Sequence, residues 1–247
     1  MGRTHHEPTV TRRLDSAGLL DASVAPPTTI KAFSIGRSVQ GRLIEAYACD
    51  RDACATIVLG GVHGDEPKSV RVAKRLVESL ALLAEPLPAC GWVIVPAVNP
   101  DGYARRRRRN ANNVDLNRNL PTKNWESGSK RSRMFGGETP ASEPEVRAIM
   151  GLIGSRRPKR IITIHSIDRG RFCNNYDGPG KEIARQLARS NGYPVVGSIG
   201  YPTPGSLGNW AGVERQIPTV TLELPSHHSS KRCWEANEKG LVNLLAH

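Results

Sequence analysis

The chain has 247 residues, 38% of them hydrophobic and 23% charged, the composition of an ordinary globular domain and not of a disordered chain. Thirty-five Lys and Arg against 23 Asp and Glu give a formal charge of +12, a field that favours anionic partners without choosing among nucleic acid, an anionic surface and an acidic small substrate. No stretch approaches the roughly 18 apolar residues of a membrane-crossing helix.

The opening MGRTHHEPTV lacks the apolar core of a secretory signal. Five cysteines without paired metal-type spacing fit reduced thiols, so a cytoplasmic location is expected. Residues 1–28, rich in Thr, Pro, His and Arg, read as a loosely ordered arm before one domain over 29–247. Ala55–Gly60 is a short apolar run ending in glycine, the pattern of a buried strand. Pro67–Leu83 follows as a helix, with Val70, Ala73, Val77 and Leu80 on one face and Pro at its start. Trp92–Val98 reads as a second strand whose pairing Pro96 ends.

A polar region over Asn99–Thr139 then interrupts the pattern, and segments that long tend to carry function or disorder. Helices are expected over Ser142–Ile153, Lys181–Ser190 and Ser230–Ala246, and strands over Arg160–His165 and Thr219–Leu224. Strands alternating with helices predict a single three-layer α/β/α domain around a mixed, mostly parallel sheet. Ligands of such sheets bind where loops leave the strand ends.

Three of these strands end in candidate ligands. The first leads into His63-Gly-Asp-Glu66, the third ends in His165-Ser166, and the fourth carries Glu223 in an apolar setting. Two histidines and a carboxylate with an open position form a recognised catalytic zinc set. Each element taken singly has a plainer reading. His63 and Glu66 could start and cap a helix, His165 could be a satisfied core residue, and Asp65 could replace Glu66 as the carboxylate. An unpaired ionised Glu223 in a strand would be costly, which favours a functional role.

The motifs combine in order: HGDEP, NPDG, the run Arg105–Arg109, VDLNRN, a strand-end His-Ser and TLELP. This series resembles the zinc metallocarboxypeptidases of the carboxypeptidase A type over about residues 30–245. The resemblance implies that His63, Glu66 and His165 hold one Zn²⁺ and that Asp115 orients His63. It implies that Glu223 moves the proton of an attacking water to the leaving amine, and that Arg108 stabilises the developing oxyanion. Arg105 aligns with a second substrate-side arginine, and one position of slippage within the arginine run stays open. Asn117 and Arg118 match the pair that grips a terminal carboxylate. Tyr201 matches a mobile tyrosine that contacts substrate. Gly208 falls at or beside the position that sets side-chain preference, where a glycine opens room for a long polar group.

The segment YPTPGSLGNW is similar to that of the murein peptide amidases, which cut γ-D-glutamyl-diaminopimelate in cell-wall tripeptides. The expected partner is therefore a small peptide with a free C-terminal carboxylate, not a membrane. A general carboxypeptidase and an N-acyl amino acid deacylase are alternatives within the same chemistry. Nucleic-acid binding is a distant one, since no helix-turn-helix signature accompanies the basic charge and aromatic residues are only 5% of the chain. Asn113 stands where a glycine is expected before VDLNRN, so the turn there is the one local departure from the pattern.

Overall fold

The computed structural model describes residues 30–49, 54–82, 91–168 and 170–246. The expected arm over 1–28 lies outside them, as does Cys90. Eight strands form one sheet: β1 (Ile30–Arg37), β2 (Leu43–Cys49), β3 (Cys54–Leu59), β4 (Gly91–Val95), β5 (Arg160–Ile167), β6 (Cys173–Asp177), β7 (Val195–Val196) and β8 (Thr219–Pro225). Among the described residues five α-helices accompany them: α1 (Pro67–Ala81), α2 (Pro100–Arg105), α3 (Pro144–Arg156), α4 (Lys181–Asn191) and α5 (Ser230–Ala246).

The sheet order is β1-β2-β4-β3-β5-β8-β6-β7. Its centre, β4-β3-β5-β8, is parallel throughout and comprises the four strands read from their apolar runs. These strands are covered on both faces, which is why their sequences are nearly continuous in Val, Ile and Leu. Pro96 follows the last residue of β4, as its missing N–H requires. Outside the centre, β1-β2, β2-β4 and β6-β8 pair antiparallel. The sheet is thus mixed, and four further strands join those expected.

On one face, α1, α4 and α5 cover Val58, Ile94, Ile162 and Leu222 with Leu76, Leu80, Leu187 and Leu241. On the other, α3 and the turn bearing Trp210 cover Ile57, Val93 and Ile161 with Val146, Ile149 and Ile153. Each fully buried Leu or Ile contributes about 1.5–3 kcal/mol by leaving water. Three layers result, as the alternation predicts.

The long polar region is held by buried asparagines. The Asn99 side chain accepts from Gly102 N at 2.8 Å and starts α2. Asn119 Nδ2 donates to Gly136 O at 2.7 Å and Thr139 O at 3.0 Å. Asn113 adopts φ 60°, a left-handed conformation that asparagine tolerates in place of glycine. The turn therefore keeps its shape without the glycine.

Candidate active site

His63 lies in the turn between β3 and α1, and Glu66 immediately precedes the first helical residue, Pro67. The turn is pressed against α2: a Cβ added at Gly64 would collide with the Gly102 backbone, so only glycine allows this approach. Because Glu66 is not spent on capping the helix, its carboxylate is available to face the histidines. His63 Nδ1 is 2.8 Å from Glu66 Oε1, and His165 Nδ1 is 3.0 Å from Glu66 Oε2. The two ring nitrogens are themselves 3.1 Å apart.

Three donor atoms from His63, Glu66 and His165 therefore converge with all three side chains buried. Two imidazole nitrogens and a carboxylate are the donor set that borderline divalent ions such as Zn²⁺ accept, and the residues fit that metal. Asp65, the alternative carboxylate, turns away and pairs with Arg133 at 3.2 Å.

Behind His63, its Nε2 is 3.0 Å from Asp115 Oδ1. Asp115 also accepts from Asn117 N at 3.0 Å and from Arg108 Nε at 3.0 Å. Arg108 Nη1 reaches Glu66 Oε1 at 3.5 Å, so this arginine is fixed at the edge of the donor group. Asp115 sits well below the usual carboxylate range: burial alone would raise it, but His63 and Arg108 outweigh burial. Burial would likewise lower His63, yet Glu66 and Asp115 hold it up at about 9. His165, for which burial wins, lies below its ordinary value.

Glu223 is the parallel neighbour of His165 across the β5-β8 pair. Burial, and then the Glu66 charge, push its carboxyl up to about 8. A cation held by the three donors would draw it back down, since the same Coulombic reasoning applies with the sign reversed. Cys173 is opposite Glu223 on β6 and is a buried thiol pushed up to about 12, first by burial and then by that carboxylate.

These groups open onto a cavity of about 270 Å³ lined by His63, Glu66, Arg108, Asn117, Arg118, His165, Tyr201, Gly208 and Glu223 among others. Arg118 is buried, donates from Nη1 to Asn117 O at 2.6 Å, and leaves Nε without a partner. A guanidinium lining a cavity suits an anionic ligand group. Asn117 Oδ1 accepts from Leu207 N at 2.9 Å, which ties the Tyr201–Gly208 loop to VDLNRN. Tyr201 lines the cavity and is 38% exposed.

Arg105 ends α2 in an exposed position outside the cavity lining, so it is not brought together with the others. Conversely, Lys68, Arg133, Arg171, Asn175, Asp177 and Thr221 line the cavity without having been singled out in the sequence. No motif marks them, because each reads alone as a surface charge or a strand polar residue.

The zinc carboxypeptidase family profile matches residues 19–233. The chain belongs to the zinc carboxypeptidase family. This family member is 33% identical over 223 residues to murein peptide amidase A of Vibrio campbellii, covering 83% of this chain and 86% of that one. It is 34% identical over 227 residues to murein peptide amidase A of Escherichia coli K12, covering 85% and 87%. The crystal structure of the murein-tripeptide amidase from Escherichia coli O157 superposes with a TM-score of 0.72 at 30% identity, over 91% and 94% of the two chains. Carboxypeptidase A from Helicoverpa armigera shares the fold, with a TM-score of 0.72 at 21% identity over 90% and 69%. The protein is therefore a peptide hydrolase of the zinc metallopeptidase class. Among the described residues no helix is long and apolar enough to cross a membrane.

Proposed function

We propose that this enzyme hydrolyses the amide bond before a terminal residue bearing a free carboxylate, with γ-D-glutamyl-meso-diaminopimelate of murein tripeptide as substrate. The observation that carries this reading is the convergence of His63, Glu66 and His165 beside Glu223, in a cavity that Arg118 also lines. Both murein peptide amidases, similar over most of their length, support the choice of substrate.

His63, Glu66 and His165 would hold one Zn²⁺, which when bound supplies Lewis acidity toward a water and a carbonyl oxygen. Asp115 fixes the ring of His63 so that Nδ1 faces the cavity. Glu223 takes a proton from the attacking water as the new C–O bond forms, then delivers it to the amine nitrogen as the C–N bond breaks. Arg108 lies where negative charge develops on the carbonyl oxygen and offsets it. Asn117 and Arg118 orient the terminal carboxylate, and Tyr201 closes over it from the mouth. Gly208 lies in the wall that meets the terminal side chain. Arg105, on the outer face, adds to the positive field that draws an anionic peptide in. Residues 29–247 act as one catalytic unit, and a cytoplasmic setting accords with the buried thiols Cys173 and Cys233.

The test is release of free diaminopimelate from L-Ala-γ-D-Glu-meso-diaminopimelate by zinc-loaded protein, with and without a chelator. Release that the chelator abolishes is the expected result. Absence of release from zinc-loaded protein, alongside cleavage of ordinary C-terminal peptides, would make it a general carboxypeptidase instead.

A further inference from the structure

A second cavity, of about 390 Å³, lies toward the other end of the parallel strands. Pro158, in its wall, stands just before β5, and Ile217 stands just before β8. His165 and Glu223 lie toward the far ends of the same two strands. From Arg160 to His165 alone, β5 runs about 16 Å. Among the described residues none lines both cavities.

One wall is a stripe of α3 and its C-terminal cap. Met150, Ile153, Gly154 and Arg157 follow at the i, i+3, i+4, i+7 spacing that puts side chains on one helix face. The facing wall is Trp210, Arg215 and Ile217. Met150 and Ile217 pack on the core beneath them yet stay only half-buried, which leaves apolar surface for a further layer.

Two residues of the stripe go against local preference. Gly154 lies inside α3, and a Cβ added there would meet nothing within 4 Å. Alanine would fit and would favour the helix. Arg157 caps α3 at φ 45°, the left-handed conformation that glycine adopts most readily. A glycine thus stands where alanine suits the backbone, and an arginine where glycine does. Both departures shape the cavity: Gly154 leaves its floor open, and Arg157 adds a cation to its lining. Local rules broken together at one place point to a function.

The charges in the lining have one sign. Arg157 and Arg215 line the cavity and no acidic residue does. No ion pair joins Arg157 to an acid among the described residues. Arg215 is held 3.9 Å over the Trp210 ring centroid; its Nη1 donates to Trp210 O at 2.7 Å and stands 3.8 Å from Glu214 Oε2. A mostly apolar cavity with a few polar groups is the composition of a small-molecule site, and this volume falls in the usual range. Met150 and Arg157 are about 10 Å apart along α3, a span that a medium-length alkyl chain covers with its head at the arginine.

We propose that this cavity is a binding site for a small amphipathic carboxylate. The hydrocarbon tail lies against Met150, Ile153 and Ile217, and the carboxylate meets Arg157 and Arg215. The site is independent of the hydrolase reading, since it shares no residue with that chemistry.

Calorimetry with octanoate, octanol and octylammonium on the zinc-loaded full chain tests it. Wild type should bind octanoate about 10-fold or more tighter than octanol, the effect of a charge-assisted hydrogen bond, and octylammonium weakest. Gly154→Leu fills the floor with a better helix former, and Arg157→Gly relieves the left-handed cap while removing the guanidinium. Both variants should raise Tm and weaken octanoate binding about 10-fold or more. Octanol binding should fall in Gly154→Leu and hold in Arg157→Gly. Octanoate binding that survives both substitutions belongs to other cations, those of the active site included, and overturns the proposal. Equal affinity of wild type for octanoate and octanol does the same. A lower Tm in both variants would show that Gly154 and Arg157 serve the fold and not a ligand. Self-association that Gly154→Leu abolishes, with no octanoate bound, would give this face to a second copy of the chain and likewise overturn the proposal.

Discussion

His63 is held from both sides: Nε2 is 3.0 Å from Asp115 Oδ1, and Nδ1 is 2.8 Å from Glu66 Oε1. The first contact decides which nitrogen carries the proton and so which one is presented to a metal. Asp115→Asn weakens that control without changing the shape of the side chain. Zinc affinity measured against a competing chelator should fall about 10- to 100-fold. Unchanged affinity would show that the ring is oriented by packing alone.

Glu223→Gln removes the proton carrier and none of the three converging donors. Zinc content should stay at the wild-type level while kcat falls by about 10²- to 10⁴-fold. Near wild-type turnover in this variant would sink the role given to Glu223.

His165→Ala removes one of the three donors. Adding zinc to wild type should raise Tm in proportion to the logarithm of its concentration, since the ion binds the folded chain. The variant should show little or no such rise. A full zinc-dependent shift in His165→Ala would place the metal elsewhere.

Arg118 lines the cavity, and its guanidinium donates from Nη1 to the Asn117 carbonyl and from Nη2 to Met134 Sδ at 3.6 Å. Arg118→Ala should raise KM for a substrate with a free terminal carboxylate by roughly 10- to 100-fold. It should have little effect on the same peptide carrying a terminal carboxamide. Wild type that cleaves both forms equally would remove the carboxylate clamp from the mechanism.

Asp177 gives a stability signature with a definite sign. Burial pushes its carboxyl up to about 6, against about 3.9 in an unfolded chain. The folded state therefore prefers the neutral acid. Wild type loses stability as pH climbs from about 4 to about 6 and stays lower above that. The shift corresponds to about 3 kcal/mol at most, and about 1–2 with partial solvent contact. Asp177→Asn lacks this cost, so its Tm should gain on wild type across that window and hold the gain at pH 7–8. A Tm difference that does not change with pH would contradict the account.

The central strands were legible because burial on both faces forces apolar runs such as RIITI and TVTLEL, and β3, β4, β5 and β8 lie where those runs predict. β1 and β2 escaped notice because β1 has no fully buried position and β2 alternates exposed with buried ones, so neither forms an apolar run. β6, reading CNNYD, escaped because polar residues hold three of its five positions, two of them buried asparagines that no apolar run announces. The donors were legible because metal chemistry imposes residue types and spacing, and His63, Glu66 and His165 do converge. The place of Asp177 in the cavity wall was not, since it depends on Gly208 being opposite it, a relation between positions 31 residues apart that no local pattern encodes. Arg105 shows the converse: an arginine run offers several candidates, and only the fold decides which of them face inward.

His165 and Glu223 occupy one rung of the parallel β5-β8 ladder. A slip of a single residue would send either side chain to the opposite face of the sheet. Strand alignment and metal capture are then two readings of the same event, and a misaligned chain would emerge without zinc. Metal content in a purified preparation thus serves as a proofreading mark, separating correctly threaded molecules from compact ones assembled out of step.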